Sequence, residues 1–120
     1  VAFRHDIGSL ATARRTGADV TYIIIDNGGG AIFDKLPISE CGGVHERHFV
    51  TEPGLHLGQV GEGFGVAVAA PDTWDAVRRD IAASLETDGT QIVWIRTDRG
   101  TDKARGESIR TRVVDAIDRR

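Results

Sequence analysis

The segment Asp26-Asn27-Gly28-Gly29-Gly30 holds the residue types in this chain best suited to chemistry. An Asn side-chain oxygen and freed main-chain carbonyls are the hard oxygen donors that Mg²⁺ prefers. Three consecutive glycines let the backbone approach a ligand closely and take positive φ. Together they suit a metal-bound diphosphate. On glycine content alone a flexible turn leaving a strand is the better reading, and the run matches neither a Walker A loop nor a GxGxxG fingerprint. The remaining reactive side chains read as ordinary. His45 and His48 flank Glu46 and Arg47 in a polar stretch, which points to solvated loop residues rather than metal ligands. His5 and His56 are isolated, and Cys41 has no evident basic or helix-terminal neighbour to activate its thiol. Arg78-Arg79 and Arg119-Arg120 read as helix-face and terminal charges.

A loop of this kind needs elements that hold it. Val20 to Ile25 is a β-branched run without polar alternation, which predicts a strand buried on both faces of a parallel sheet. Its carboxyl end delivers the glycine run to the place where open α/β sheets bind ligands. Before it, Ile7 to Arg15 predicts a helix with Ile7, Leu10 and Ala11 inward, capped by Asp6 and stopped by Gly17. Residues 30–53 lack periodicity and read as a long loop with one short helical turn, a length that is usually functional or disordered. Leu55 to Phe64 predicts a helix closed by Gly65, and Val66 to Ala69 a short strand. Asp72 or Thr73 then caps a helix whose buried face is Trp74, Val77, Ile81 and Leu85. Gln91 to Ile95 predicts another strand. A last helix from about Asp102 to Arg119 carries Ile109, Val113, Val114 and Ile117 as a stripe. Strands alternating with helices make βαβ units, so the expected fold is α/β, a three-layer sandwich with a mainly parallel sheet.

Bulk properties fit one such domain. The chain has 120 residues and 12.9 kDa, 40% hydrophobic and 28% charged residues, and a net charge of −3. That balance argues against a nucleic-acid or membrane surface, which needs a basic excess. One cysteine allows no internal disulfide, no apolar run approaches the ~20 residues of a membrane span, and no signal segment is evident, so a cytoplasmic chain is expected. The chain lacks methionine and opens at Val1 on what reads as the end of a strand running into a helix, so residues 1–120 are expected to be part of something longer.

Longer matches sharpen the reading of the loop. Ile23-Ile24-Ile25-Asp26-Asn27-Gly28-Gly29-Gly30-Ala31-Ile32-Phe33, followed by Leu36-Pro37, resembles the second half of the thiamine-diphosphate motif of the 2-succinyl-5-enolpyruvyl-6-hydroxy-3-cyclohexene-1-carboxylate synthase family. His5-Asp6-Ile7-Gly8-Ser9-Leu10, Phe49 with Thr51-Glu52-Pro53-Gly54-Leu55, and Trp94-Ile95-Arg96-Thr97-Asp98-Arg99 are similar to further segments of that family. The resemblance implies a diphosphate-binding domain fold and a C-terminal position covering about the last fifth of the enzyme. It implies that Asn27, through its side chain, and Gly29, through its carbonyl, ligate Mg²⁺, with Gly28 beside them against the cofactor. Val1 and Ala2 would give backbone N–H groups to phosphate, and Ile32, Phe33 and Leu36 would form an apolar wall facing the thiazolium and the acceptor substrate, a short helix packing on its own core being an equal alternative for these three. Asp26 stands where asparagine is common in the family. The Gly-Asp that opens the family motif would fall just before Val1, and the catalytic glutamate would come from a pyrimidine-binding domain of a neighbouring subunit. No residue of this chain is assigned a catalytic role, and the chain alone is expected to be inactive. In full, the resemblance implies decarboxylation of 2-oxoglutarate and addition to isochorismate in menaquinone biosynthesis, by a homodimer or homotetramer. The alternatives are another thiamine-dependent 2-oxoacid decarboxylase or synthase, or a non-catalytic flavodoxin-like α/β binding domain.

Overall fold

The computed structural model describes residues 2–50, 52 and 54–119. In chain order the elements are helix α1 (Ala2–His5), helix α2 (Gly8–Thr16) and strand β1 (Val20–Asp26). Two 3₁₀ turns (Ala31–Lys35 and Pro37–Cys41), helix α3 (Gly43–His45) and a π turn (Glu46–Val50) follow. Then come helix α4 (Leu57–Phe64), strand β2 (Ala67–Ala69), helix α5 (Trp74–Leu85), strand β3 (Thr90–Arg96) and helix α6 (Arg99–Asp118). The chain divides into two compact units, one of residues 1–26 and 53–96 and the other of 27–52 and 97–120.

The first unit is built on a parallel sheet of order β1-β3-β2. Because strand side chains alternate between faces, the register sorts them. Tyr22 and Ile24 pair with Ile92 and Trp94, and on that face Leu10 of α2, Leu57 of α4 and Val66 complete the core. Thr21 and Ile23 pair with Gln91 and Val93 on the other face, where the Thr21 hydroxyl meets Ser84 of α5 at 3.2 Å. Helices therefore cover both faces, which gives the three layers expected from the sequence. The α4 helix lies so close to β2 that a Cβ on Gly61 would overlap the Val68 side chain and sit 2.8 Å from the Val66 carbonyl oxygen. Only glycine permits that approach.

Local signals hold at most element ends. Thr73 caps α5 by accepting from the Ala76 N–H at 3.2 Å. Gly65 ends α4 at φ 63°, and Gly17 ends α2 at φ 64°. Asp6 does not cap α2: Ile7 occupies that position without a side-chain hydrogen bond, and the Asp6 backbone carbonyl accepts from Ser9 N–H instead. The α5 stripe is half right, with Val77 buried but Trp74 68% and Leu85 73% exposed, because Ala76 takes the inward place beside Val77. Nor is β1 buried on both faces. It is an edge strand of this sheet, and Ile23 and Ile25 are exposed.

The second unit holds the segment expected to be a loop. It is almost continuously helical, as short 3₁₀, α and π turns rather than one turn in a coil. Periodicity cannot report such pieces, since none is long enough to show a repeating face. The α6 helix begins at Arg99, earlier than expected, because Asp98 caps it: its carboxylate accepts from the Thr101 N–H at 2.7 Å and from the Thr101 hydroxyl at 2.6 Å. These bonds hold the Asp98 carboxyl below the usual carboxylate range. The stripe Ile109, Val113, Val114 and Ile117 is exposed along its length. Among the described residues, no helix is long and apolar enough to cross a membrane.

Candidate functional site

At the end of β1 the Asp26 carboxylate accepts a hydrogen bond from the Trp94 indole N–H at 3.0 Å, which ties the strand end to β3. Asn27 follows. Its side-chain oxygen accepts from the Gly29 N–H at 3.4 Å, a turn in which Asn supplies what a backbone carbonyl otherwise would. Gly28 lies at φ 75°, in the left-handed region that favours glycine. At Gly29 the constraint is space: a Cβ would lie 2.7 Å from both Val50 Cγ1 and the Val50 carbonyl oxygen. That same carbonyl accepts from the Gly30 N–H at 2.6 Å. The glycine run is thus clamped against Val50, and it is no loose turn.

Asn27 and Gly28 line an open cleft of about 650 Å³, together with Glu46, Glu52, Asp98 and Arg99. Two hard oxygen donors, the Asn27 side chain and the Gly29 carbonyl, have the chemistry of part of a Mg²⁺ shell. A soft-metal site is a poor fit: no group of three or more His, Cys, Asp or Glu that could hold a metal is found among the described residues.

The apolar wall is divided. Ile32 is 78% exposed, and Phe33, 38% exposed, meets Phe49 edge-to-face with ring centroids 5.3 Å apart. Leu36 lines a separate cavity of about 370 Å³ beside Pro37, Lys103 and Arg110 of this unit. Ala2, the first residue of α1, is exposed and belongs to the first unit, and Val1 lies outside the described residues. Thr51 and Pro53 of the similar segments lie outside them too.

His45 is the sharpest correction. Instead of a solvated loop residue it is 4% exposed, with Nε2 3.4 Å from Asp34 Oδ1 and Nδ1 3.9 Å from Glu46 Oε1. Arg99 completes the group, with Nε 3.5 Å from Asp34 Oδ2 and an Nη2 hydrogen bond to Glu46 Oε1. Glu46 and Asp34 push the Arg99 guanidinium further up from its already high value. Nothing in the sequence marked this group, because its members are spread from residue 34 to residue 99 and each sits in a polar stretch. His48, by contrast, is exposed as expected, and so is Cys41.

The fold places the chain in a class. It superposes with a TM-score of 0.68 on the benzoylformate decarboxylase from Polynucleobacter necessarius, at 18% identity, over 81% of this chain and 18% of that one. It therefore has the α/β fold of the thiamine-diphosphate-dependent decarboxylases. No protein-family model matches the chain. Curated relatives narrow the class. The 2-succinyl-5-enolpyruvyl-6-hydroxy-3-cyclohexene-1-carboxylate synthase of Roseiflexus sp. is 33% identical over 88% of this chain and 18% of its own length. That of Geobacillus thermodenitrificans is 34% identical over 82% of this chain and 17% of its own. Over most of its length the chain is similar to this synthase family, and it spans about a fifth of the length of the curated relatives it matches.

Proposed function

We propose that the chain is the diphosphate- and Mg²⁺-binding portion of a thiamine-diphosphate-dependent synthase that decarboxylates 2-oxoglutarate and adds the resulting four-carbon unit to isochorismate, in menaquinone biosynthesis. The observation that carries this reading is the clamped Asn27-Gly28-Gly29 turn, in a chain whose relatives are synthases of that name. Asn27, by its side-chain oxygen, and Gly29, by its carbonyl, would hold the metal. Gly28 lets the backbone come close to the diphosphate, and the N–H groups of Val1 and Ala2 would meet a phosphate. When bound, thiamine diphosphate supplies the electron sink for decarboxylation. Ile32, Phe33 and Leu36 would form the apolar wall that keeps water from the reacting carbons. The glutamate that activates the cofactor would come from the pyrimidine-binding domain of a neighbouring subunit, in a cytoplasmic homodimer or homotetramer.

The test uses the full-length protein and two variants. Calorimetric titration of thiamine diphosphate with Mg²⁺ should show Asn27→Ala weakened, with activity partly restored at high Mg²⁺ and cofactor. Phe33→Ala should bind cofactor nearly as wild type while kcat/KM for isochorismate falls about tenfold, a loss of ~1.4 kcal/mol of transition-state stabilisation. Wild-type cofactor binding in Asn27→Ala removes Asn27 from the site. A strongly lowered melting temperature in Phe33→Ala, with normal kinetics in the folded fraction, makes the wall structural. The 120-residue chain alone should release no CO₂ from 2-oxoglutarate.

A second reading is favoured by the structural likeness to benzoylformate decarboxylase: a different thiamine-dependent 2-oxoacid decarboxylase or synthase. Turnover of benzoylformate or pyruvate in preference to 2-oxoglutarate would select it.

A further inference from the structure

Asp34, His45, Glu46 and Arg99 form an ionic group that the metal loop does not use. Asp34 and His45 are 8% and 4% exposed, and burying such groups costs stability unless they are paired. Asp34 is paired twice, with His45 Nε2 3.4 Å from its Oδ1 and Arg99 Nε 3.5 Å from its Oδ2. The Arg99 guanidinium joins Asp34 on the 3₁₀ turn to Glu46 on the π turn, and its Nη1 is buried without a hydrogen-bond partner. What these turns carry gives the group a purpose. Asp34 is the residue after Phe33, and Phe49, whose ring meets Phe33, is stacked on the His45 ring at 6.1 Å. Ile32 is too exposed for apolar packing to fix its direction, and Phe33 has the Phe49 ring as its aromatic contact. Their backbone is fixed at Asp34, and the Phe33 ring is fixed through Phe49.

We infer that Arg99 is a positioning residue: by joining Asp34 to Glu46 it sets the direction in which Phe33 faces the acceptor substrate, without touching the metal loop. The consequence for catalysis rests on the synthase reading; the anchoring itself does not. Lys at 99 keeps the charge but lacks the planar fork that reaches two carboxylates at once.

The experiment compares wild-type full-length protein with Arg99→Lys, Phe33→Ala and the double variant. Hydrogen exchange followed by mass spectrometry should rise several-fold in residues 31–36 and 43–50 of Arg99→Lys and stay unchanged in 20–26 and 90–96. kcat/KM for isochorismate should fall about tenfold, a larger change than in cofactor affinity, since Arg99 also lines the cleft of Asn27 and Gly28. If Arg99 acts through Phe33, the double variant should be no slower than the slower single one, since coupled residues do not add. Unchanged exchange in 31–36 overturns the anchor. A double-variant loss equal to the product of the two single losses overturns the action through Phe33. A wild-type protein with no synthase activity overturns the functional reading, and the exchange result still decides the anchor.

Discussion

The two units keep their shapes by different means. In the first, nine apolar residues are buried, from Leu10 through Trp94, while Val50 is the one buried apolar residue described in the second. The second instead buries Asp34 and His45 and leaves the apolar stripe of α6 exposed. A hydrophobic core tolerates small changes of direction, because burial is non-directional and many contacts share the load, although deleting buried atoms is costly. An ionic group is intolerant, since removing one partner strands the others. The unit that carries the glycine loop and Phe33 is thus defined by a few directional contacts. Small displacements of a binding group matter most in such a place.

Four substitutions would break or sharpen that contrast. The largest effect belongs to the first unit. Ile92 is 1% exposed at the centre of the sheet, and Ile92→Ala should cost about 2–5 kcal/mol in urea denaturation. Gly29→Ala comes next, in the second unit. Its Cβ would collide with Val50, so about 1–3 kcal/mol of strain is expected, together with a cofactor affinity lowered at least tenfold. If Gly29→Ala binds cofactor normally, the clamp has no bearing on the site. Thr73→Ala deletes the α5 cap and should cost ~1 kcal/mol, read as a small drop in melting temperature with cofactor binding intact. The smallest effect is pH-dependent. The Asp98 carboxyl is held below its unfolded value, so its cap stabilises α6 above about pH 4 and fades as pH falls below that. The melting-temperature gap between wild type and Asp98→Ala should therefore be constant near neutrality and close under acid. A gap that persists at pH 2 would show that charge on Asp98 is irrelevant to the cap.

The same contrast explains what could be read in the sequence. Strands β1, β2 and β3 and the ends of α4 and α5 were legible, because apolar runs, Thr73 and Gly65 are local signals for structures that depend on burial. The Asn27 to Gly30 loop was legible through its composition and its resemblance to a longer motif. The turns from Ala31 to Val50 were not, since their order comes from pairings such as Asp34 with Arg99, distant in sequence and without period. Trp74, Leu85 and the α6 stripe show the reverse. Their spacing is right for a buried face, yet the described residues offer nothing to cover them, and periodicity states only what a helix is able to bury.

The strand order β1-β3-β2 also bears on synthesis. The central strand is the last of the three to be made, so neither earlier strand has β3 beside it when it leaves the ribosome. Val20 must wait for Thr90, its register partner, which at 5–20 residues per second takes roughly 4–14 s. During that interval Tyr22 to Ile25 lacks its β3 partner. Non-local parallel pairing is slow to form. The yield of folded protein should therefore depend on translation speed between residues 27 and 90 and on holdase chaperones that occupy β1 until β3 emerges.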